Sequence, residues 1–140
     1  MATALAARLE RIARRWTLRL THHGRKTGTP YVVTIWFVVD GETVYLETMD
    51  MRRQWPRNVR KRPDVVLQVG DETLRGQATP ITDPGEMEHV ARLATRKYPI
   101  MYPIGWAMRL VAWLRGKAPQ ELFPGGFFRV RVEPEVGATR

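Results

Sequence analysis

The chain has 140 residues, of which 44% are hydrophobic and 26% are charged, a composition typical of one soluble globular domain. It contains no cysteine, which excludes disulfides, thiolate catalysis and zinc sites built from cysteine ligands. The net charge of +9 favours acidic partners such as nucleic acid, anionic lipid or a polyanionic cofactor, although an ordinary solvated basic surface explains it equally well. Arginines interrupt the apolar residues near the N-terminus, so a secretory signal is not expected there and a cytoplasmic location is expected.

The first third of the chain predicts a helix followed by two strands. Apolar residues recur at helical spacing over residues 4–15, with arginines between them, which predicts an amphipathic helix. Residues 17–21 then alternate as in a strand, with Leu18 and Leu20 pointing inwards. Residues 31–39 are almost continuously apolar, so this second strand is expected to have both of its faces covered.

The bend between these strands, Gly24-Arg25-Lys26-Thr27-Gly28, is the most informative segment of the chain. Its two glycines allow a sharp turn that brings backbone N–H groups together, and its two cations add positive charge at the same place. This combination suits an anionic group such as a phosphate. The spacing matches neither the P-loop nor the dinucleotide-binding glycine pattern, and the residues alone also fit a plain hairpin connection.

The rest of the chain predicts further hairpins and two helices before a last strand. Asp40-Gly41 and Gly70-Asp71 are typical hairpin turns, and Asp83 followed by Pro84 is typical of a helix start. Strands are predicted at residues 43–48, 64–69, 72–81 and 127–132, and helices at residues 50–62, 83–98 and 104–115. Tight turns between strands, without β-α-β alternation, indicate an antiparallel sheet or a small barrel.

Several of these segments, in this order, resemble motifs of the deazaflavin-dependent nitroreductase family. The bend is similar to the family's glycine-arginine-lysine turn, and the strand at residues 34–38 and the hairpin turn that follows are also similar. The family's W-x-x-N-L-R-x-x-P element is matched at Trp55, Asn58, Arg60 and Pro63. The resemblance covers residues 18–99 and the closing strand.

The resemblance implies a mainly β (α+β) fold, a six-stranded antiparallel split β-barrel of the FMN-binding, flavin-reductase type with flanking helices. It implies one domain over residues 1–140, comprising an N-terminal helix (1–16), the barrel core (17–82), a helical cap (83–116) and the closing strand (126–133). It also implies an enzyme that uses reduced coenzyme F-420, a deazaflavin with a phosphate and an oligoglutamate tail, to transfer hydride to a quinone, a nitro compound or a similar apolar acceptor. Barrels of this type commonly pair across a twofold axis, so a homodimer is expected.

The same resemblance implies a cofactor site without a catalytic side chain, because the hydride chemistry belongs to the cofactor. The bend would hold the cofactor phosphate, and the strand backbone at residues 34–36 would lie against the deazaflavin ring. The expected cofactor-binding residues are Arg25, Lys26, Thr27, Gly28, Tyr31, Thr34, Ile35, Trp36, Thr48, Met49, Trp55 and Asn58. An anionic cofactor would also complement the basic set Arg25, Lys26, Arg52, Arg53, Arg57, Arg60 and Lys61. No metal site is expected, since the adjacent His22 and His23 point to opposite faces of a strand.

Three positions depart from the family pattern and leave other ligands open. Tyr31 replaces an arginine of many members, Thr34 replaces a proline and Met49 replaces a lysine. FMN is therefore the alternative cofactor, and the alternative function is a non-catalytic carrier of FMN, a haem-like ring or a fatty acyl ligand. Nucleic-acid binding is disfavoured because the aromatic residues lie in apolar segments rather than on a basic platform.

Residues 101–115 form a bulky apolar segment, shorter than the roughly 20 residues needed to span a bilayer. Three interpretations remain open: a helix packed on the barrel, a lid over an apolar substrate, or a helix making peripheral contact with a membrane interface. A lid would suit a quinone-like substrate, with Tyr98 and Tyr102 at its entrance as candidate substrate contacts.

Overall fold

A closed barrel of six antiparallel strands forms the centre of the computed structural model, which describes residues 3–133. The strands are β1 (Thr17–His23), β2 (Pro30–Asp40), β3 (Thr43–Thr48), β4 (Asp64–Val69), β5 (Glu72–Pro80) and β6 (Gly126–Val132). The helices are α1 (Ala4–Ile12), α2 (Gln54–Lys61), α3 (Pro84–Lys97), α4 (Met101–Leu114) and α5 (Pro119–Leu122). The order around the barrel is β1-β2-β3-β6-β5-β4, and β4 pairs with β1 to close it. This architecture confirms the predicted six-stranded antiparallel barrel with flanking helices.

Local and distant pairings both contribute to the barrel. Gly41 and Gly70 have positive φ angles of 62° and 58°, so they form the tight β2–β3 and β4–β5 turns that the sequence predicts. The last strand, β6, lies between β3 and β5, and it pairs Phe128 with Leu46 far back in the chain. Closure of the barrel therefore depends on the final strand.

Alternate residues of the strands fill the interior of the barrel. Leu18 and Leu20 of β1 are buried as predicted, and they belong to the same apolar cluster as Phe37, Leu46 and Phe128. Full burial of each such side chain contributes roughly 1.5–3 kcal/mol to folding.

Two helices extend this core. Leu9 and Ile12 of α1, and Trp55 and Val59 of α2, belong to the same cluster. Since α2 is anchored through this apolar face, its arginines at other positions are left on the surface.

A second, smaller core lies on the outside of the barrel under α3. Tyr45 of β3 packs there against Val90 and Ala94 of α3. As predicted, α3 begins at Asp83, whose side chain accepts a hydrogen bond of 2.8 Å from the N–H of Glu86.

The prediction that both faces of β2 are covered is wrong for the first half of the strand. Tyr31 is 39% exposed and Val32 is 54% exposed, whereas Phe37 and Val38 are buried. The reason is the position of the outer core, which includes Val38 and lies only over the second half of the strand.

Some helix boundaries also differ from the prediction. α1 ends at Ile12, and α4 begins at Met101 because Pro103 lies in its first turn, where a missing N–H costs no hydrogen bond. Residues 119–122 form a short helix, although no helix is predicted between residue 115 and the last strand. In α4 only Ala112 is buried.

Within residues 3–133, no helix combines the length and the apolar character needed to cross a bilayer.

Candidate functional site

A cavity of about 480 Å³ lies beside the barrel, between β2, β3 and helix α4. Its lining is mostly apolar, with Met101, Ile104 and Met108 of α4 on one side. The predicted cofactor-binding residues that line it are Thr34, Ile35, Trp36, Thr48, Met49 and Trp55. A largely apolar cleft with a few polar groups is the usual form of a cofactor site.

The segment that leads into β6 provides this cavity with a wall of bare backbone. A Cβ atom on Gly125 would lie 2.9 Å from the carbonyl oxygen of Thr48, and one on Gly126 would lie 3.1 Å from the sulfur of Met51. Both glycines line the cavity, so the wall is formed without side chains. Such a wall lets a flat ring approach closely, and it fits a deazaflavin or flavin ring.

Aromatic contacts hold the two tryptophans of the cavity in place. Trp36 stacks on Tyr98 with ring centroids 4.3 Å apart, and Trp16 meets both rings edge-on. Trp55 packs against Phe128 with centroids 5.3 Å apart. The shape of the cavity is therefore set by packing within the protein.

The bend uses most of its own polar groups internally. The N–H of Gly24 donates to the carbonyl of Thr29 at 2.8 Å, and the N–H of Gly28 donates to the carbonyl of Gly24 at 2.8 Å. The hydroxyl of Thr27 lies 2.8 Å from that of Thr29. The N–H groups of these two glycines are thus already paired, so they are not free to bind an anion at the bend. An anion here would depend mainly on side-chain charge.

Asn58 connects the bend to α2. Its Oδ1 accepts hydrogen bonds from the backbone N–H of Arg25 at 3.2 Å and from the Arg25 Nη1 at 2.6 Å. Its Nδ2 lies 3.2 Å from Nδ1 of His22, a bond that requires His22 to accept on this nitrogen. Burial, reinforced by the charge of His23, lowers the pKa of His22, which favours this neutral state. Asn58 is 1% exposed, so its amide supports the bend from within.

The bend and the cavity both lie against α2, about one helical turn apart. Arg53, the residue before the helix, and Trp55 in its first turn line the cavity, whereas Oδ1 of Asn58 accepts hydrogen bonds from the bend. Three residues separate Trp55 from Asn58, a rise of about 4.5 Å along the helix. The predicted site residues therefore form two groups joined by one helix. Tyr31 belongs to the second group, since its ring stacks on that of the neighbouring His22.

Exposed cations follow the surface from the bend along α2. They are Lys26, Arg53, Arg57, Arg60 and Lys61, and none of them forms an ion pair with another residue between 3 and 133. Arg52 differs from the rest of the predicted basic set. It pairs with Asp50, Nε to Oδ1 2.9 Å apart, and these bonds lower the pKa of Asp50 to about 2. Its charge is already compensated.

The two predicted substrate tyrosines lie outside the cavity. Tyr98 is fully buried, and its hydroxyl lies 2.6 Å from the carbonyl oxygen of Trp16 and 2.9 Å from that of Phe37. Burial raises the pKa of Tyr98 to about 12, so its hydroxyl is a structural donor. Tyr102 is 63% exposed on the outer side of α4, beside Arg92. Neither position places the tyrosine ring against a ligand in the cavity.

Glu47 is a cavity residue that the sequence analysis missed. It is 9% exposed, and its Oε2 has no hydrogen-bond partner among residues 3–133. Burial raises the pKa of Glu47 to about 7. The signal available in the sequence was the acidic residue near the end of the predicted strand at residues 43–48, directly after the apolar run Val44-Tyr45-Leu46. Among residues 3–133, no group of side chains is suited to binding a metal ion.

The closed six-stranded antiparallel barrel with flanking helices is the split β-barrel fold of the flavin and deazaflavin reductases. A sequence profile of the F-420H(2)-dependent quinone reductase family matches residues 4–104. The chain belongs to this family, and it is therefore an oxidoreductase that uses coenzyme F-420. The predicted enzyme class and cofactor are confirmed.

Solved structures with low sequence identity share the fold. An F-420-H2 dependent reductase has a TM-score of 0.58 at 21% identity, covering 83% of this chain and 94% of its own. A conserved hypothetical protein from Mycobacterium tuberculosis has a TM-score of 0.64 at 17% identity, covering 96% and 86%. A protein described as a domain-swapped dimer has a TM-score of 0.60 at 20% identity, covering 89% and 94%. A comparison with curated proteins found no significant match.

Proposed function

We propose that the cavity binds the deazaflavin ring of F-420 and that the cations of α2 and the bend hold its phosphate and its acidic tail. The observation that carries this proposal is the position of an apolar, ring-sized cavity at the start of a helix whose exposed surface is mostly basic. Arg53 lines the cavity itself, and Lys26 lies at the far end of the same basic surface. An elongated ligand with an apolar ring and an anionic tail complements this arrangement.

When bound, the reduced cofactor supplies the hydride. The contribution of the protein is to orient the ring and to exclude water. The bare backbone at Gly125 and Gly126 would lie against one face or edge of the ring, and Trp55 would limit its movement. Because the remaining walls come from Met101, Ile104 and similar side chains, we propose an apolar acceptor such as a quinone or a nitro compound.

The test is a fluorescence titration of the purified protein with F-420 and, separately, with FMN. Lys26→Ala and Arg57→Ala should each weaken F-420 binding by about tenfold, since each removes a charge-assisted contact with an anionic group. Arg11→Ala is the control, because Arg11 is an exposed cation on α1 outside the cavity lining. Reduced F-420 should also be consumed when menadione is added.

The outcomes separate the alternatives. Unchanged affinity in both variants would place the phosphate elsewhere. Tight FMN binding without F-420 binding would favour the other cofactor, and a copurifying fatty acid without turnover would favour the carrier function.

We propose that α4 serves as a lid and that its outer face rests on an anionic lipid surface. The inner side of α4 lines the cavity, whereas Trp106 and Trp113 on the outer side are 70% and 75% exposed. The exposed Arg109, Arg115 and Lys117 border these aromatic rings, a pattern typical of interfacial helices. Such a contact would give the protein a cytoplasmic, membrane-peripheral location and bring it close to lipid-soluble acceptors.

Sedimentation with lipid vesicles tests the lipid contact. The protein should bind vesicles that contain phosphatidylglycerol more strongly than vesicles of phosphatidylcholine alone. The double variant Trp106→Ser, Trp113→Ser should lose this binding, whereas Thr79→Ala, at an exposed position of β5 outside α4, should retain it. Equal binding by all three proteins would rule out α4 as the contact.

We propose that two copies of the chain pair through the open half of β2. Tyr31 and Val32 are exposed there, and the neighbouring fold described as a domain-swapped dimer supports a dimeric assembly. Light scattering should give the mass of a dimer for the natural chain and of a monomer for Val32→Asp. Gln68→Asp, on the exposed side of β4, is the control and should remain dimeric. A monomeric natural chain would exclude the pairing.

A further inference from the structure

We propose that Glu47 is the acid that protonates the acceptor as it is reduced, an inference that rests on the proposed function of the cavity. No catalytic side chain is implied by the family resemblance, so this residue adds a chemical role to the protein itself.

The side chain of Glu47 lies on the outer surface of β3, within the cavity wall. Its neighbour Leu46 points to the opposite side, into the barrel core, and the Cα of Glu47 pairs with that of Phe127 in β6. Glu47 and Phe127 both line the cavity. The carboxyl group is therefore held by the sheet beside the space where a ligand would lie.

The carboxyl group is buried but incompletely bonded. Among the side chains of residues 3–133, the Oε2 of Glu47 is the buried polar atom that has no hydrogen-bond partner. Buried polar groups are normally hydrogen-bonded, so this unpaired oxygen shows that no group among residues 3–133 fixes the carboxyl of a residue that lines the cavity. A protonated carboxyl can donate one hydrogen bond, which an acceptor oxygen would receive.

The elements packed around Glu47 do not neutralise it. Arg53, at the start of α2, lines the same cavity without forming an ion pair with Glu47. From α3, Tyr98 is bonded to backbone carbonyls, and Lys97 donates to the carbonyl of Phe37 at 2.9 Å. The side chains that α4 contributes to the cavity are apolar. Burial without a counter-charge raises the pKa of Glu47 to about 7, a value suited to a general acid at neutral pH.

The proposed step balances in atoms and electrons. The acceptor receives a hydride, which carries two electrons and one proton, from the reduced cofactor. The O–H bond of Glu47 breaks and a new O–H or N–H bond forms on the acceptor atom that has gained the electron pair. The cofactor is oxidised by two electrons, the acceptor is reduced by two electrons, and the second proton lost by the cofactor returns through water to the Glu47 carboxylate.

The test compares the natural chain with Glu47→Gln, which keeps the shape and removes the transferable proton. Glu42→Gln, at an exposed carboxylate in the β2–β3 turn, is the matched control. For Glu47→Gln, the F-420 affinity should be unchanged, and kcat with menadione should fall by about 10²-fold, the usual effect of removing a general acid. The natural chain and the control should both lose kcat above about pH 7, and Glu47→Gln should show no such loss.

A second measurement needs neither cofactor nor turnover. With carbon-13 labelled glutamate, NMR should show one carboxyl that titrates near pH 7 in the free protein and is missing from Glu47→Gln. A Glu47 that titrates near its ordinary value of 4.5 would overturn the inference even if the variant folded poorly.

The possible failures are distinguishable. If the natural chain bound F-420 and reduced menadione while Glu47→Gln kept the full kcat and its pH profile, this inference alone would be wrong. If the natural chain bound no F-420 at all, the proposed function and the inference would both be wrong.

Discussion

Asn58 accepts two hydrogen bonds from Arg25, one from its backbone N–H at 3.2 Å and one from its Nη1 at 2.6 Å. This pair joins the bend to α2, the helix that also carries Arg53 and Trp55 into the cavity wall. The two parts of the candidate site therefore share one rigid support. A change at Asn58 should affect the stability of the fold as well as the binding of the cofactor.

Asn58→Ala should lower the free energy of unfolding by about 2 kcal/mol, because it removes a charge-assisted hydrogen bond and a backbone hydrogen bond. Urea unfolding of the cofactor-free protein measures this change. Gln54→Ala, at an exposed position of the same helix, should have little effect. An Asn58→Ala protein of normal stability that no longer binds F-420 would indicate direct contact between Asn58 and the cofactor instead.

Tyr98→Phe should be destabilised by about 1–2 kcal/mol, since the buried hydroxyl that bonds the Trp16 carbonyl is lost. Thermal and urea unfolding measure the loss. Once folded, the variant should keep its KM for menadione, because the hydroxyl lies outside the cavity. A raised KM with unchanged stability would restore Tyr98 as a substrate contact.

The stability of the protein should depend on pH through Glu47. Its pKa is raised in the folded state from 4.5 to about 7, so the unfolded chain releases its proton at lower pH than the folded chain does. The stabilisation is complete below about pH 4.5 and is lost as the pH rises through about 7, with a total near 3 kcal/mol.

Glu47→Gln lacks this titration and provides the reference. The free energy of unfolding of the variant, relative to that of the natural chain, should therefore increase between about pH 5 and about pH 8. Urea unfolding at both pH values measures the difference. A constant difference would show that the carboxyl has an ordinary pKa.

Gly125→Ala should distort the cavity, because its Cβ would lie 2.9 Å from the carbonyl oxygen of Thr48 and the backbone must shift. We expect a loss of about 1–3 kcal/mol in stability and weaker F-420 binding. Gly105→Ala is a useful contrast: its Cβ would meet no atom within 4 Å, and alanine favours the helix by about 1 kcal/mol. Because Gly105 also lines the cavity, the contrast concerns stability, and equal losses of stability in the two variants would contradict a wall that requires glycine at residue 125.

Patterns between near neighbours in the chain made much of the fold predictable. The turns at Gly41 and Gly70, the helix start at Asp83 and the inward leucines of β1 depend on backbone conformation and on alternation within a few residues. The order of such elements was enough to indicate a small antiparallel barrel. The same local motifs pointed to Trp55 and to the strand around Thr34, which the structure brings to one cavity.

By itself, then, the sequence determined the elements, the barrel class and the family, because turn chemistry, side-chain periodicity and motif order are properties of local chain segments. Only the tertiary structure decided what each candidate side chain contacts. Asn58 supports the bend, Tyr98 is buried in the packing, half of β2 is open, and Glu47 lines the cavity with one oxygen that no residue between 3 and 133 bonds. These outcomes depend on the pairing of β3 with β6 and on where α3 and α4 lie, contacts between residues far apart in the chain. The burial and the charge surroundings that follow from such contacts leave no mark on the local pattern of residues.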